Sequence, residues 1–282
     1  FTFCKIPFQR FLIPTGIPPL RSGTFELSNM NQSIDDMFSN CSMEMEKQVQ
    51  NLYFPREIQN DLFREAWNKN SCAQQKLDML QSRYKALTIN HTKALCVYTG
   101  ETPNLYEPLN GALRTGAANY STPYFQYHAL YFWLTSAIQI LKNSCETVYR
   151  RTPNVYNGQK GQIMRFGYFA STSRKPDLFD FGSETCFHIE TCYGAYIDKY
   201  SVIEGEEEVL VPSYEVFQVI DMVSNSHGDL RDCKKIFVLK SVGNSSILNC
   251  KAANHNQQIR SNLKLMLVFQ LLIGLLWNQS LK

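Results

Sequence analysis

The residues best placed to do chemistry in this chain are three adjacent carboxylates, Glu206, Glu207 and Glu208, which run into the apolar stretch Val209-Leu210-Val211-Pro212. Like charges side by side repel, and Glu is depleted from strands, so a strand that begins this way has a use for its charge or sheds it to water. In an extended segment alternate side chains share a face, which sets Glu206 and Glu208 on one side and Glu207 on the other. Two carboxylates on one face can divide labour. One steadies a developing positive charge while the other orients or deprotonates a nucleophile. The competing reading is a solvated edge carrying Glu for solubility. Two further polar features precede them: Arg150 after Thr147-Val148-Tyr149, and Ser171-Thr172-Ser173 after Phe169-Ala170. Taken singly, a strand-end Arg reads as a surface ion pair and Ser-Thr-Ser as a turn.

These residues need elements to hold them. Residues 35–50 carry few breakers and read as helix, and Pro55 suits the first turn of another over 56–68. Residues 77–87 and 105–118 read as further helices, while 94–100 is a short apolar run, ended by Gly100, that fits strand or helix. Ser121-Thr122-Pro123 has the form of a helix start, with 124–141 following unbroken. Its aromatic residues read as core rather than as a ligand box. After Cys145 the texture changes to short strand-like runs at 147–150, 162–170, 186–192, 209–212, 215–223 and 235–242, separated by Gly, Pro, Ser and Asn. Gly167 marks a candidate bulge within the second of these. A helical first half and a β second half make an α+β fold.

The length of 282 residues and a 44% hydrophobic fraction support a proper core. A net charge of +3 with no long Lys/Arg run gives no reason to expect nucleic acid. Nine cysteines occur without a CxxC pair, and no HExxH spacing appears, so no metal site is expected. Oxidised pairs in a secreted protein are the alternative use, and Asn-x-Ser/Thr triplets at Asn31, Asn40, Asn90, Asn119 and Asn244 are compatible with that compartment. Residues 263–277 form an apolar run behind a polar spacer, 254–262, and the small residues Ala252-Ala253. Small site, spacer and greasy tail have the layout of a GPI-attachment signal; a short core helix or a tail anchor is the alternative. Residues 1–28 read as a leader or unstructured segment, 29–253 as the folded domain and 254–282 as the anchor signal.

Tyr149-Arg150, the block from Arg165 to Ser173, and Glu206 to Glu208 followed by Val-Leu-Val-Pro resemble the Arg–Ser–Glu set of the GPI-linked vertebrate ecto-mono-ADP-ribosyltransferases. The likeness runs from about Asp35 to Cys250 and includes 97–100 and 131–141. It implies a helical N-terminal half packed on a twisted, mainly antiparallel two-sheet β core. It also implies NAD as a co-substrate, with no metal, and arginine side chains of proteins as acceptors at the outer face of the plasma membrane. By the same resemblance Arg150 meets the NAD phosphates, and Ser171 holds the nicotinamide ribose or the neighbouring Glu. Glu208 stabilises an oxocarbenium-like ribose, and Glu206 orients the acceptor guanidinium. Tyr98 and Ser201 match positions near bound NAD, and Phe179 matches an aromatic that stacks on nicotinamide, though a core Phe reads almost as well. NAD glycohydrolysis, or a surface recognition protein that keeps the fold without turnover, are the alternatives.

The chain departs from the family at Arg151, where relatives commonly carry Gly, and at Tyr168, where some carry Gln. Arg151 either narrows the nicotinamide pocket or lies outward. The resemblance implies disulfides Cys41–Cys250 and Cys145–Cys192. Cys72 and Cys233 are candidates for a third, with Cys96 and Cys186 left as buried thiols.

Overall fold

The computed structural model describes residues 23–69, 72–80, 86–101, 103–254 and Met266. The apolar run at 263–277, apart from Met266, and residues 1–22 of the expected leader lie outside the described residues. Among the described residues no helix is long and apolar enough to cross a membrane.

A short strand β1 (Thr24–Glu26) pairs in parallel with β3 (Val155–Asn157), and Leu27 beside it is buried in the core. The helical layer follows: α1 (Ser42–Gln48), a π-helical turn (Val49–Tyr53), α2 (Phe54–Glu57), α3 (Asp61–Lys69), α4 (Cys72–Leu80), α5 (Ile89–Thr99), α6 (Tyr106–Thr115) and α7 (His128–Leu141). The strands that complete the fold are β2 (Glu146–Thr152), β4 (Ile163–Met164), β5 (Ala170–Ser173), β6 (Thr185–Thr191), β7 (Ala195–Tyr196), β8 (Glu208–Val211), β9 (Glu215–His227) and β10 (Leu230–Asn244). They form one mainly antiparallel ladder in the order β4-β9-β10-β6-β2-β5-β8-β7, whose β10–β6 pair is parallel. Helices and sheet share a continuous apolar core that includes Trp133, Tyr131, Phe169, Phe187 and Phe217.

Several helix boundaries differ from those expected, and the helix expected over 56–68 is divided between α2 and α3. The segment 94–100 is the end of α5, whose start lies upstream at Thr88, where the backbone N–H donates to His91 Nδ1 at 3.0 Å. The apolar run alone could not show this, because the cap lies outside it. Ser121-Thr122-Pro123 does not cap α7. Thr122 turns back on Asn119, and the helix begins at His128. Its first N–H groups are satisfied from another helix: His128 N and Ala129 N each donate to the Glu57 carboxylate at 2.9 Å. A carboxylate at a helix N-terminus meets orphan donors and the positive end of the dipole, so a tertiary contact does the capping here. Asp35 and Asp36 stay outside α1, their carboxylates held by Arg165, Tyr120 and the backbone N–H groups of Phe38, Leu248 and Cys250. Of the helix expected over 77–87, residues 77–80 belong to α4 and 81–85 lie outside the described residues.

The disulfides Cys41–Cys250 and Cys145–Cys192 are present as expected. The other pairs correct the sequence reading: Cys72 joins Cys96, and Cys186 joins Cys233, so neither Cys96 nor Cys186 is a free thiol. Periodicity marked Cys96 and Cys186 as core, which they are, but burial does not exclude a partner arriving from α4 or from the β9–β10 hairpin.

Candidate active site

Arg150 sits on β2, Ser171 on β5 and Glu208 at the first position of β8, three strands adjacent in the sheet. β5 and β8 pair with Ser171 opposite Leu210 and Ser173 opposite Glu208. β2 and β5 share a single register pair, Tyr149 with Ser173, and a cleft of about 630 Å³ lies along this junction. Arg150, Ser171, Glu206, Glu208, Tyr98 and Ser201 all line it, with α5 and α6 forming the facing wall. Side chains far apart in sequence therefore converge because two neighbouring strands separate after one pair.

Glu206 and Glu208 both reach the cleft, but not by alternation along one strand. Gly205 and Glu207 have φ of +92° and +52°, and β8 begins only at Glu208. A left-handed non-glycine residue is uncommon and must be held in place. Asp198 holds it: one carboxylate oxygen accepts the N–H of Gly205 at 3.0 Å and of Glu207 at 2.8 Å. Ser173 Oγ donates to the Glu206 carbonyl at 2.5 Å.

The electrostatics follow from burial. Glu208 is 7% exposed. Burial pushes its carboxyl up to about 7, helped by the charges of Glu206 and Asp198 and opposed by hydrogen bonds from Ser171 and Ser201. Burial also raises Glu206, with Glu101 and Asp198 adding to it and Lys175 opposing. Arg150 Nη1 donates to the Ser171 carbonyl at 2.5 Å. Burial disfavours its charge, but the surrounding phenols of Tyr168, Tyr156 and Tyr98 outweigh that, and its pKa is raised. The Tyr98 hydroxyl donates to the Phe169 carbonyl at 2.6 Å and accepts from Asn110 Nδ2 at 3.0 Å, which locks α5 to α6 and to the residue before β5.

Phe179 is placed differently from the expectation. It is 57% exposed, with Arg151 Cζ 4.6 Å from its ring centroid, and the aromatic that lines the cleft from this turn is Phe181. Both residues belong to the 3-10 turn Phe179–Phe181, which sends them in different directions. The bulky Tyr168 lies 3.9 Å beneath the Arg114 guanidinium. Burial pushes its phenol up, but Arg150 and Arg114 together pull it below its ordinary value. The sequence reading missed Asn110, Arg114, Lys175 and Glu101 in the cleft wall. A signal existed for two of them: Asn110 and Arg114 are four apart on α6 and share a face, interrupting its apolar pattern.

The cleft thus has guanidiniums, suited to phosphate oxygens, and a buried carboxylate, Glu208, beside the half-buried Glu206, suited to an incipient cation. Among the described residues no group of His, Cys, Asp and Glu is arranged to hold a metal.

Comparison with known proteins gives this arrangement a context. Residues 27–237 match the NAD:arginine ADP-ribosyltransferase family. Human ecto-ADP-ribosyltransferase 4 is 35% identical over 237 residues, covering 78% of this chain and 70% of its own. Chicken NAD(P)(+)--arginine ADP-ribosyltransferase 2 is 31% identical over 226 residues, with the same coverage. The crystal structure of the eukaryotic mono-ADP-ribosyltransferase ART2.2 superimposes with a TM-score of 0.66 at 30% identity, covering 80% of this chain and 98% of that one. The E189I mutant of that enzyme, solved in complex with NAD, aligns with a TM-score of 0.65 at 28% identity over the same shares of the two chains. With the match spanning the helical layer, the strands that carry Arg150, Ser171 and Glu208, and most of the sheet, this chain belongs to the NAD:arginine ADP-ribosyltransferase family.

Proposed function

We propose that this protein transfers ADP-ribose from NAD to arginine side chains of proteins and releases nicotinamide. The observation that carries the reading is the convergence of Arg150, Ser171, Glu206 and Glu208 on one cleft. Arg150 binds the NAD phosphates, for which its fork is matched. Tyr98 and Ser201 flank the same site, and Ser171 and Ser201 hold the Glu208 carboxylate. Phe181 takes the nicotinamide-facing role that sequence had given to Phe179. The bond that breaks joins ribose C1′ to the nicotinamide nitrogen, and its electron pair leaves with nicotinamide. Glu208 stabilises the positive charge that grows on the ribose. A guanidinium stays protonated at neutral pH and is a poor nucleophile. Glu206 binds that cation, aims a nitrogen at C1′ and accepts its proton as the new C–N bond forms.

The supported setting is extracellular: four disulfides persist in oxidising compartments, and relatives carry ecto names. Residues 29–253 are the catalytic unit in this reading, and the tail 254–282 directs a GPI anchor. Release of the cell-surface protein by phosphatidylinositol-specific phospholipase C tests that attachment.

The test of the reaction is incubation with labelled NAD in the presence of agmatine, an arginine-bearing protein, or water alone. Label on agmatine and protein is the expected result. Free ADP-ribose without labelling would replace the reading with NAD glycohydrolysis, and no cleavage at all would leave only a recognition role.

A further inference from the structure

Arg151 is a buried cation that the catalytic roles do not use. It is 6% exposed, follows Arg150 on β2 and also lines the cleft. Its guanidinium ties β2 to one loop and to the β9–β10 hairpin. Nε donates to the Pro176 carbonyl at 2.7 Å, Nη2 donates to the Arg231 carbonyl at 3.3 Å, and its Cζ lies 4.6 Å from the Phe179 centroid. Asp232 approaches Nη2 at 3.6 Å but is 55% exposed, so that ion pair adds little. In the strand register Arg151 is opposite Cys186, whose disulfide to Cys233 fixes the same end of the β9–β10 hairpin.

The loop over 174–182 supplies Lys175, Leu178 and Phe181 to the cleft wall. Its ends are tied down: Arg174 N donates to the Glu207 carbonyl at 3.2 Å, and Lys175 N to Ser173 Oγ at 2.8 Å. Gly182, at φ +101°, has no room for a Cβ, which would lie 2.6 Å from the Pro153 nitrogen. Between these ends the turn bonds mainly to itself, through Phe179 N to Asp177 O, Phe181 N to Leu178 O and Gly182 N to Phe179 O. Among the described residues, the hydrogen bond that ties residues 176–181 to the rest of the protein comes from Arg151.

We propose that Arg151 is a positioning residue: it pins the middle of this loop between β2 and the hairpin and so sets the wall that NAD meets. This rests on the NAD-binding reading above. One planar fork reaches two carbonyls and stacks on a ring, which the point charge of lysine cannot do. Arg151 Nη1 is buried without a hydrogen-bond partner.

Arg151→Ala and Arg151→Lys in the full chain test the pin. Amide exchange in substrate-free protein should speed up about tenfold at Phe179, Phe181 and Gly182, equivalent to about 1.4 kcal/mol. KM for NAD should rise about tenfold with a smaller change in kcat, and Arg151→Lys should restore neither. Unchanged exchange at those amides, or a lysine variant that matches wild type, overturns the proposal. Should Arg151→Ala fail to fold, Phe179→Ala removes only the ring contact and should speed the same amides about two- to fivefold; no change there also overturns it. Exchange is read without NAD, so a wild-type chain that does not cleave NAD would refute the assigned reaction while the pin is still decided by its own measurement.

Discussion

Asp35 and Asp36, ahead of α1, and Glu208, in the cleft, show two ways of burying carboxylates. Asp35 and Asp36 are 1% and 0% exposed, and each oxygen is met by donors. Asp35 accepts from Arg165 Nη1 at 2.6 Å and from Leu248 N at 2.9 Å. Asp36 accepts from Phe38 N, Cys250 N and the Tyr120 hydroxyl at 2.8–2.9 Å. These bonds, with the Cys41–Cys250 disulfide, staple the segment before α1 to the end of β10 and the residues that follow it. Burial still pushes Asp36 up to about 6, against the pull of its donors. At the cleft the balance is reversed. Glu208 is met by serine hydroxyls and faced by other carboxylates, and among the described residues no cation lies within ion-pair distance of it. The first region uses buried charge to hold chain segments together. The second leaves a buried charge under-compensated, so that a cation forming on a substrate has most to gain there.

The largest expected effect separates the two regions by stability. Asp35→Ala strands Arg165 without its partner and should cost about 3–5 kcal/mol in urea unfolding, while activity per folded molecule stays at the wild-type level. An equal loss of activity per folded molecule would mean that the staple is not separate from the cleft.

Glu208→Gln should do the reverse. Transfer and NAD hydrolysis should both fall by about 100–1000-fold, yet the thermal midpoint at pH 8 should rise. The sign follows from the raised pKa. A carboxyl near 4.5 when unfolded and about 7 when folded contributes stability that is present below 4.5 and is lost as pH rises to about 7. Removing the charge at pH 8 should recover on the order of 2 kcal/mol. A Glu208→Gln protein that melts earlier at pH 8 would show that the charge is compensated after all.

Glu206→Gln sharpens the division of labour within the cleft. Transfer to agmatine should drop more than about tenfold, with NAD hydrolysis within about threefold of wild type. If both reactions fall together, the acceptor-binding role is wrong.

The mildest change is pH itself. With Glu208 active as the carboxylate, kcat/KM for NAD should decline about tenfold per unit below about pH 7. Because Glu208→Gln has no such ionisation, its residual rate should lack this limb; a limb that persists belongs to another group.

Much of the site was legible before the fold was known. Arg150, Ser171, Glu206 and Glu208 stood out as polar residues at the ends of β-rich runs, and the family likeness related them to one another. Other features were not legible, for particular reasons. The cap of α7 comes from Glu57, seventy-odd residues upstream, so the Ser-Thr-Pro signal nearby was misleading. Which of Phe179 and Phe181 lines the cleft depends on the phase of one 3-10 turn. The partner of Cys96 comes from another helix, and hydropathy reports burial without reporting neighbours.

The amino-acid order by itself determined the α-then-β succession, the apolar faces and the set of reactive groups, because these depend on residue type and local periodicity. Only the tertiary structure decided that two strands separate after one register pair, that Asp198 holds Glu207 in a left-handed turn so that Glu206 and Glu208 both face the cleft, and that Arg151 turns towards a loop and a hairpin. Each of these is set by groups distant in sequence that meet at hydrogen-bond range, and such meetings leave no local trace in the order of residues.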